Sequence, residues 1–141
     1  MSKEYKKERE LKLSQPIVTN DLFPDYETNE KGINIKLIFN FDEENIKNFG
    51  FRKINNYWHW HRFCDYKSLE ISFDVNYYPD SSTFDIGLID EDFGQYYPYQ
   101  EILMKNRNHE YAVAAFNFVE ECMEQLQSCG IISGHRYGEY I

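Results

Sequence analysis

Two histidines, His59 and His61, lie in the segment YWHWHRF and are the side chains most suited to holding a metal ion. If this segment is a β-strand, both point to one side with side-chain origins about 6.5 Å apart, from which two imidazoles can converge on one ion. A metal centre needs further ligands, and no CxxC, HExxH or HxE…PCxxC pattern accompanies the pair. The other interpretation is a strand that displays two imidazoles, able to bind carboxylates or to respond to pH, while Trp58 and Trp60 enter the core. The metal site is therefore an alternative hypothesis, and the sequence predicts no cofactor.

Two carboxylates, Asp74 and Asp85, lie on segments that we expect to pair across the turn PDSS. General acid–base catalysis needs two such groups with separated pKa values in a cleft, whereas exposed carboxylates are ordinary on a solvated sheet face. Cys64 with a histidine base is a further possibility, but nothing local in the sequence indicates a lowered thiol pKa. The sequence thus favours a protein without catalytic activity over an enzyme.

A concentration of acidic and aromatic residues accompanies the predicted turns. Tyrosine is a preferred anchor at protein interfaces, and surrounding carboxylates steer a basic partner. The alternative is an acidic, solubilising surface with tyrosines packed around the bases of loops. We predict a partner-binding set consisting of Tyr77, Tyr78, Asp80, Asp85, Asp90, Glu91, Asp92, Phe93, Tyr96, Tyr97 and Tyr99.

The net charge of -9 constrains the kind of partner. Proteins that bind nucleic acid normally carry a basic face, and this chain would be repelled by phosphates. The charge favours a basic protein surface, such as that of a nuclease or another nucleic-acid-binding protein. We expect no direct binding to nucleic acid.

The segments that must position these residues alternate as antiparallel strands do. In LEISFDVNYY, residues 69–78, apolar side chains alternate with polar ones, and TFDIGLI, residues 83–89, returns after the turn PDSS. Asn55 and Asn56 suit a tight hairpin before YWHWHRF. GINIKLIFNF, residues 32–41, predicts a first strand, and the tail 131–141 a last short strand or extension.

Signals for helices lie between and after these predicted strands. Asp42 and Gly50 bound a short helix, and Pro98 opens another. The main helix is predicted from Asn108, as cap, to Ser128, with Gly130 as its stop. Its apolar stripe should cover the sheet, and Glu120, Glu121 and Glu124 should form its solvated face; the stripe consists of Ala112, Ala115, Phe116, Val119, Met123 and Leu126.

The fold class that follows is α+β. An antiparallel meander of about four to five strands is covered on one face by one long C-terminal helix. Residues 1–12 predict a highly charged helix without an apolar stripe, frayed or dependent on a partner, and residues 13–31 an extended arm. We therefore divide the chain into an N-terminal arm, 1–31, and a single domain, 32–141.

Composition bears on location and origin. The chain contains no apolar run long enough to span a membrane and no secretory signal, so we expect a soluble protein in the cytoplasm of a bacterial host, with three reduced cysteines and no membrane partner. Residues encoded by AT-rich codons dominate, which is typical of an AT-rich bacterium, phage or plasmid.

In size, charge and AT-rich composition, though not in any motif, the whole chain resembles the small acidic proteins that phages and mobile elements deploy against host nucleases. These include anti-CRISPR and anti-restriction inhibitors, and toxin-immunity proteins are similar. The resemblance implies a non-enzymatic inhibitor that occupies a basic nucleic-acid-binding or substrate channel. The alternatives are a metal-dependent enzyme that uses His59 and His61 and a phage structural or assembly component.

Overall fold

The computed structural model describes residues 3–17 and 36–139. Their helices and strands form an α+β arrangement, with a run of five consecutive strands in the middle of the chain. The elements are α1 (Lys3–Leu13), β1 (Ile38–Phe39), α2 (Glu43–Phe49), β2 (Arg52–Ile54), β3 (Tyr57–Phe63), β4 (Ile71–Tyr78), β5 (Thr83–Asp90), β6 (Gln95–Tyr96), α3 (Tyr99–Lys105), α4 (Glu110–Ser128) and β7 (Ile132–Ser133).

A five-stranded antiparallel meander in the order β2-β3-β4-β5-β6 forms the main sheet. The β2–β3 hairpin turns at Asn55, whose φ of 54° is the left-handed conformation that asparagine tolerates. A separate two-stranded antiparallel sheet joins β1 to β7, with Ile38 opposite Ser133. The predicted meander and the predicted last strand are confirmed.

Alternation along the strands gives the main sheet an inner and an outer face. On β4 the predicted inward residues Ile71, Phe73, Val75 and Tyr77 are all buried. The intervening side chains are half-buried, except that of Ser72, which is buried. Burial of the inner residues at roughly 1.5–3 kcal/mol for each large apolar side chain is the main energy that orients the sheet.

Helix α4 covers the inner face, as predicted. Ten of its 19 residues are buried, and they include the whole predicted stripe. Its cap is His109, whose ring nitrogen accepts from the amide of Ala112 at 3.2 Å; we had expected Asn108 in this role. The amide of Asn108 instead donates to the side-chain oxygen of Asn106 at 3.1 Å, and α4 begins one residue later than the sequence predicts.

The two short helices also lie where the sequence predicts them. The side chain of Asp42 accepts from the amide of Asn45, and Gly50 ends α2 with a φ of 133°. Pro98 precedes α3. Of the predicted first strand, 32–41, only β1 lies in the described part as strand, and residues 32–35 lie outside it.

An ion cluster holds α1 on the body of the protein. Arg9 makes two hydrogen bonds to Asp65, of 2.8 and 3.0 Å, and one of 2.9 Å to Glu121 on α4. Lys12 and Arg62 bind the same Glu121 carboxylate at 3.1 and 2.5 Å. Residues 3–13 therefore form the predicted charged helix, and it is anchored by ion pairs. The proposed boundary between an arm, 1–31, and a domain, 32–141, stays a prediction, because residues 18–35 lie outside the described part.

The solvated role expected for three glutamates of α4 is correct only for Glu124, which is exposed. Glu121 is half-buried: burial opposes its charge, but hydrogen bonds from Arg9 and Lys12 and the charge of Arg62 lower its pKa to about 2. Glu120 binds His135 at 3.0 Å. The partners of Glu121 come from distant parts of the chain and that of Glu120 from the segment after α4, and the helical pattern alone does not reveal them.

Over residues 3–17 and 36–139, no helix combines the length and the apolar character that crossing a bilayer requires.

Candidate functional site

The predicted partner-binding residues do not form one cluster. Because β4 and β5 are each eight residues long, the two ends of their hairpin lie about 25 Å apart. A partner that contacts one end meets only part of the set. Tyr78, Asp80 and Asp85 lie towards the turn 79–82, whereas Asp90, Glu91, Asp92, Phe93 and Tyr96 lie at the opposite end.

Two tyrosines of the predicted set belong to the core. Tyr77 is 7 % exposed and lies between Phe39 and Phe41, with ring centroids 4.6 and 4.7 Å away. Tyr99, the first residue of α3, is 2 % exposed. Tyr77 occupies an inward position of β4, and the first turn of α3 faces the core. We therefore remove both residues from the predicted contact set.

Two further tyrosines of the set are partly buried. Tyr97 packs against the core, and burial, followed by the charge of Asp90, raises the pKa of its hydroxyl. Tyr78 donates to Asp85 at 2.9 Å. Burial and this hydrogen bond raise the pKa of Tyr78 to about 12. Neither tyrosine is as accessible as an interface anchor should be.

The opposite end of the hairpin gathers the exposed members of the set other than Asp80, together with the half-buried Asp90. There the amide of Glu91 donates to the carbonyl of Glu70 at 2.9 Å, and Asp90 lies opposite Ile71. The turn 91–94 is thereby fastened to the start of β4. We define the acidic–aromatic end of the sheet as Phe63, Glu70, Asp90, Glu91, Asp92, Phe93 and Tyr96.

Three large aromatic side chains are exposed at the acidic–aromatic end. Phe63, Phe93 and Tyr96 are 60, 75 and 67 % exposed. Phe63 and Tyr96 lie on the outer face in one cross-strand row, which runs from β3 to β6 through Ser72 and Ile89. Exposed aromatic rings rimmed by charge are typical of interaction surfaces.

A glycine on the neighbouring strand positions the Tyr96 ring. A Cβ at Gly87 would lie 2.3 Å from Cε1 of Tyr96. The absence of a side chain at Gly87 lets the ring lie against β5, and glycine inside a strand often marks such a close approach. Tyr96 is thus supported by the sheet while most of its surface stays accessible.

The carboxylates of the acidic–aromatic end repel one another. A hydrogen bond with Asp92 and the negative charges of Asp92, Asp90 and Glu91 raise the pKa of the Glu70 carboxyl. A raised pKa means that the folded protein favours the protonated form of this group. A nearby cation would reduce the same repulsion between carboxylates without protonation of Glu70.

A chain of hydrogen bonds crosses three strands on the outer face. Nε2 of His59 lies 3.0 Å from Nδ1 of His61, and Nδ1 of His59 lies 2.7 Å from Oδ1 of Asn76. Asn76 donates to Asp85 at 2.9 Å, and Asp85 also accepts from Tyr78. The predicted display of the two histidines on the face opposite the tryptophans is confirmed, because Trp58 is buried and Trp60 is partly buried against the core. We refer to these five residues, His61, His59, Asn76, Asp85 and Tyr78, as the outer-face chain.

The metal hypothesis gains no third ligand from this geometry. In the described segments no group of three or more His, Cys, Asp or Glu side chains is arranged to hold a metal ion. The two imidazoles of His59 and His61 face each other through one nitrogen apiece. Metal binding by this pair stays a prediction.

Asp74 and Asp85 do not form a directly opposed carboxylate pair. Asp85 lies opposite Asn76, and Asp74 lies opposite Gly87, so the two residues are diagonal neighbours. Asp85 accepts from Asn76 and Tyr78, whereas Asp74 lies 2.7 Å from the hydroxyl of Ser72. Separate hydrogen-bond partners favour structural roles for both.

The thiol alternative finds no support at Cys64. Burial raises the pKa of this thiol to about 11. The thiolate is the reactive form of cysteine, so a raised pKa makes Cys64 a poor nucleophile. Cys64 is half-buried just after β3 and packs against the core, which suits a structural role.

Three residues of this surface were missed by sequence reasoning. Phe63 shares the outer face with His59 and His61, and the alternation of YWHWHRF contains that signal. Glu70 alternates with the inward residues of β4, but its closeness to Asp92 depends on strand register. The sequence shows Gly87 as a glycine inside a predicted strand. Nothing in the neighbouring residues identifies Tyr96 as the ring that packs against it.

Comparisons with protein-family models, with curated proteins and with solved structures gave no match to this chain.

Proposed function

We propose that this protein is a non-enzymatic binding protein that grips a basic protein surface with the acidic–aromatic end of its sheet. The observation that carries the proposal is the exposure of Phe63, Phe93 and Tyr96 beside four carboxylates. Aromatic rings supply contact area, and carboxylates supply attraction to Lys and Arg.

The mechanism is steric and electrostatic blockade. The net charge of -9 draws the protein towards a positively charged channel, and the acidic–aromatic end then competes for the cations that hold nucleic acid or a substrate. The partner is a nuclease or another nucleic-acid-binding protein of a bacterial host. The protein belongs to a phage or mobile element and acts in the host cytoplasm as an anti-CRISPR, anti-restriction or immunity-like inhibitor.

Relief of charge repulsion supports this choice of surface. The crowding that raises the pKa of Glu70 disfavours the ionised state of the free protein, and cations of a partner would remove that penalty on binding. The acidic–aromatic end therefore has an electrostatic reason to bind a basic surface that a dispersed set of carboxylates lacks.

The test is affinity capture from a lysate of the bacterial host, with two double variants of equal charge. Glu70→Lys with Asp92→Lys should lose the partner, because it reverses charge at the acidic–aromatic end. Glu8→Lys with Glu124→Lys changes the net charge equally at exposed positions on α1 and α4 and should retain it. Equal losses in both variants would show that total charge alone governs binding.

A second pair of variants tests the aromatic contribution. Phe93→Ser should weaken capture, whereas Met104→Ser, at a side chain of α3 that is equally exposed at 76 %, should not. The captured protein should bind nucleic acid or its substrate more weakly when the wild-type chain is added. A captured protein whose activity is unchanged by saturating amounts of the chain would contradict blockade.

Salt provides a kinetic prediction for the same complex. Raising the ionic strength should slow association, since screening acts mainly on the steering between an acidic and a basic surface. Association rates measured by stopped-flow or surface plasmon resonance should fall with salt far more than dissociation rates rise. Equal association rates at low and high salt would remove the electrostatic part of the proposal.

A further inference from the structure

Chemistry at one end of the outer-face chain fixes the proton positions along it. The Asp85 carboxylate can only accept, so the atom of Asn76 that lies 2.9 Å from it must be the amide nitrogen. The amide oxygen of Asn76 must then face His59, and it can only accept. Nδ1 of His59 therefore carries a hydrogen.

The same argument continues to the second imidazole. In a neutral His59 with hydrogen on Nδ1, Nε2 is a bare acceptor. His61 presents Nδ1 to that atom at 3.0 Å, so Nδ1 of His61 must be the donor. A neutral His61 then has a bare Nε2.

The bare nitrogen of His61 is available to a partner. His61 is exposed, and its ring meets Phe63 edge to face at 5.0 Å. Within the described part of the chain, Nε2 of His61 makes no hydrogen bond. Phe63 belongs to the acidic–aromatic end, so the histidine extends that surface along β3.

Uptake of one proton turns Nε2 of His61 from a hydrogen-bond acceptor into a donor, whichever of the two imidazoles carries the positive charge. If His61 is the cation, both of its nitrogens carry hydrogen. If His59 is the cation, its Nε2 donates to Nδ1 of His61, and the neutral His61 then carries its hydrogen on Nε2. A second proton would set two donors against each other and break the hydrogen bond between the rings.

Charged groups from each neighbouring strand face this pair. On β2, Arg52 lies opposite His59. On β4, Asp74 lies opposite His61, and on β5, Asp85 accepts a hydrogen bond from Asn76. Tyr57, also on β3, lies two residues before His59 and therefore on the same face. Opposite signs thus flank the pair.

We propose that the outer-face chain holds His61 Nε2 as a hydrogen-bond acceptor for an Arg or Lys side chain of the basic partner, and that one proton converts it into a donor and weakens the complex. The partner-recognition half rests on the proposed function. The tautomer half does not, because it concerns the free protein. Histidine takes up a proton between about pH 5 and 8, so the complex should weaken as pH falls through this range.

Long-range proton–nitrogen NMR of the free protein tests the tautomers. At about pH 8, where histidine is largely neutral, both His59 and His61 should show a protonated Nδ1 and a bare Nε2. In Asn76→Ala, which removes the acceptor that directs the chain, this pattern should be lost. A wild-type spectrum in which Nε2 of either ring carries the hydrogen at this pH would overturn the proposal.

Binding of a short poly-arginine peptide tests recognition at low salt. The wild-type affinity should fall by about tenfold from pH 8 to pH 5.5. His61→Phe keeps a ring beside Phe63 but has no nitrogen, so its affinity should be weaker at pH 8 and change little between the two values. The variant also controls for carboxylates that take up protons in the same range.

The results separate the two proposals. An unchanged pH response in His61→Phe, or no peptide binding at either pH, would overturn the recognition half even if the tautomers are as expected. Capture of the partner by His61→Phe that equals capture by the wild type at pH 8, together with loss in Glu70→Lys with Asp92→Lys, would leave the proposed function intact while placing His61 outside the interface.

Discussion

Ser72 combines a buried position with two acidic neighbours. Its side chain lies on the outer face of β4 but is 1 % exposed. The hydroxyl oxygen lies 2.7 Å from Oδ1 of Asp74 and 2.5 Å from Oε1 of Glu91. A hydroxyl has one hydrogen to donate, so it can satisfy only one of these carboxylates at a time. Ser72 thereby joins the turn 91–94 to the centre of β4.

Replacing this hydroxyl should cost stability. We expect Ser72→Ala to lower the free energy of unfolding by about 1–2 kcal/mol, because the half-buried Asp74 and the exposed Glu91 lose the one hydrogen that they share. Urea unfolding followed by circular dichroism measures the difference. Ser68→Ala, at an exposed position before β4, should stay within about 0.5 kcal/mol of the wild type. Equal effects at the two serines would show that the contacts of Ser72 contribute nothing measurable.

At the scale of elements, local signals predicted more than long-range ones. The caps of α2 and the alternation of β4 operate over a few residues, and the structure confirms both. The anchoring of α1 depends on Arg9 meeting groups 56 and 112 residues away, which no window of sequence displays.

The candidate site shows the same difference between local and long-range signals. The sequence located the acidic turn after β5 but placed Tyr77 and Tyr99 with it, because a predicted turn does not reveal which neighbouring ring points inward. Conversely, Phe63 joins that turn only through the register of β3, β4 and β5. Composition therefore predicted an acidic and aromatic surface, whereas strand pairing determines which residues belong to it.

The ion cluster makes a prediction about α1. Arg9→Met should reduce the free energy of unfolding by about 1–3 kcal/mol, because Asp65 and Glu121 lose a partly buried partner while Lys12 and Arg62 still bind Glu121. The amides of α1 should also exchange faster with deuterated solvent. Lys6→Met, at an exposed position of the same helix, is the matched control. Unchanged protection of α1 in Arg9→Met would show that apolar contacts such as those of Leu13 are sufficient.

At the scale of the whole molecule, acidic groups act on stability in opposite directions. The pKa of Glu121 lies at about 2, below its usual 4.5, so its ion pairs stabilise the fold above the latter pH and are lost as pH falls towards the former. The pKa of Glu70 is raised, so its charge destabilises the fold at neutral pH and the penalty is relieved as pH falls. Stability should therefore pass through a maximum on the acidic side of neutrality.

A single substitution isolates the second contribution. Glu70→Gln should melt at a higher temperature than the wild type at neutral pH, because it removes one charge from the acidic–aromatic end. The difference should shrink as the pH approaches the usual range of glutamate, where Glu70 takes up its own proton. Thermal unfolding followed across this pH range measures both effects. A wild type that melts higher than Glu70→Gln at neutral pH would contradict the inferred repulsion.

The small sheet formed by β1 and β7 constrains when the polypeptide can finish folding. Ile38 pairs with Ser133, and the side chain of Asn45 donates to the carbonyl of Cys129 across the same gap. During translation the meander can assemble from neighbouring segments, whereas β1 must wait until the ribosome has made nearly a hundred further residues. A nascent chain interrupted after β6 would lack both α4, which covers the inner face of the sheet, and β7, which pairs with β1.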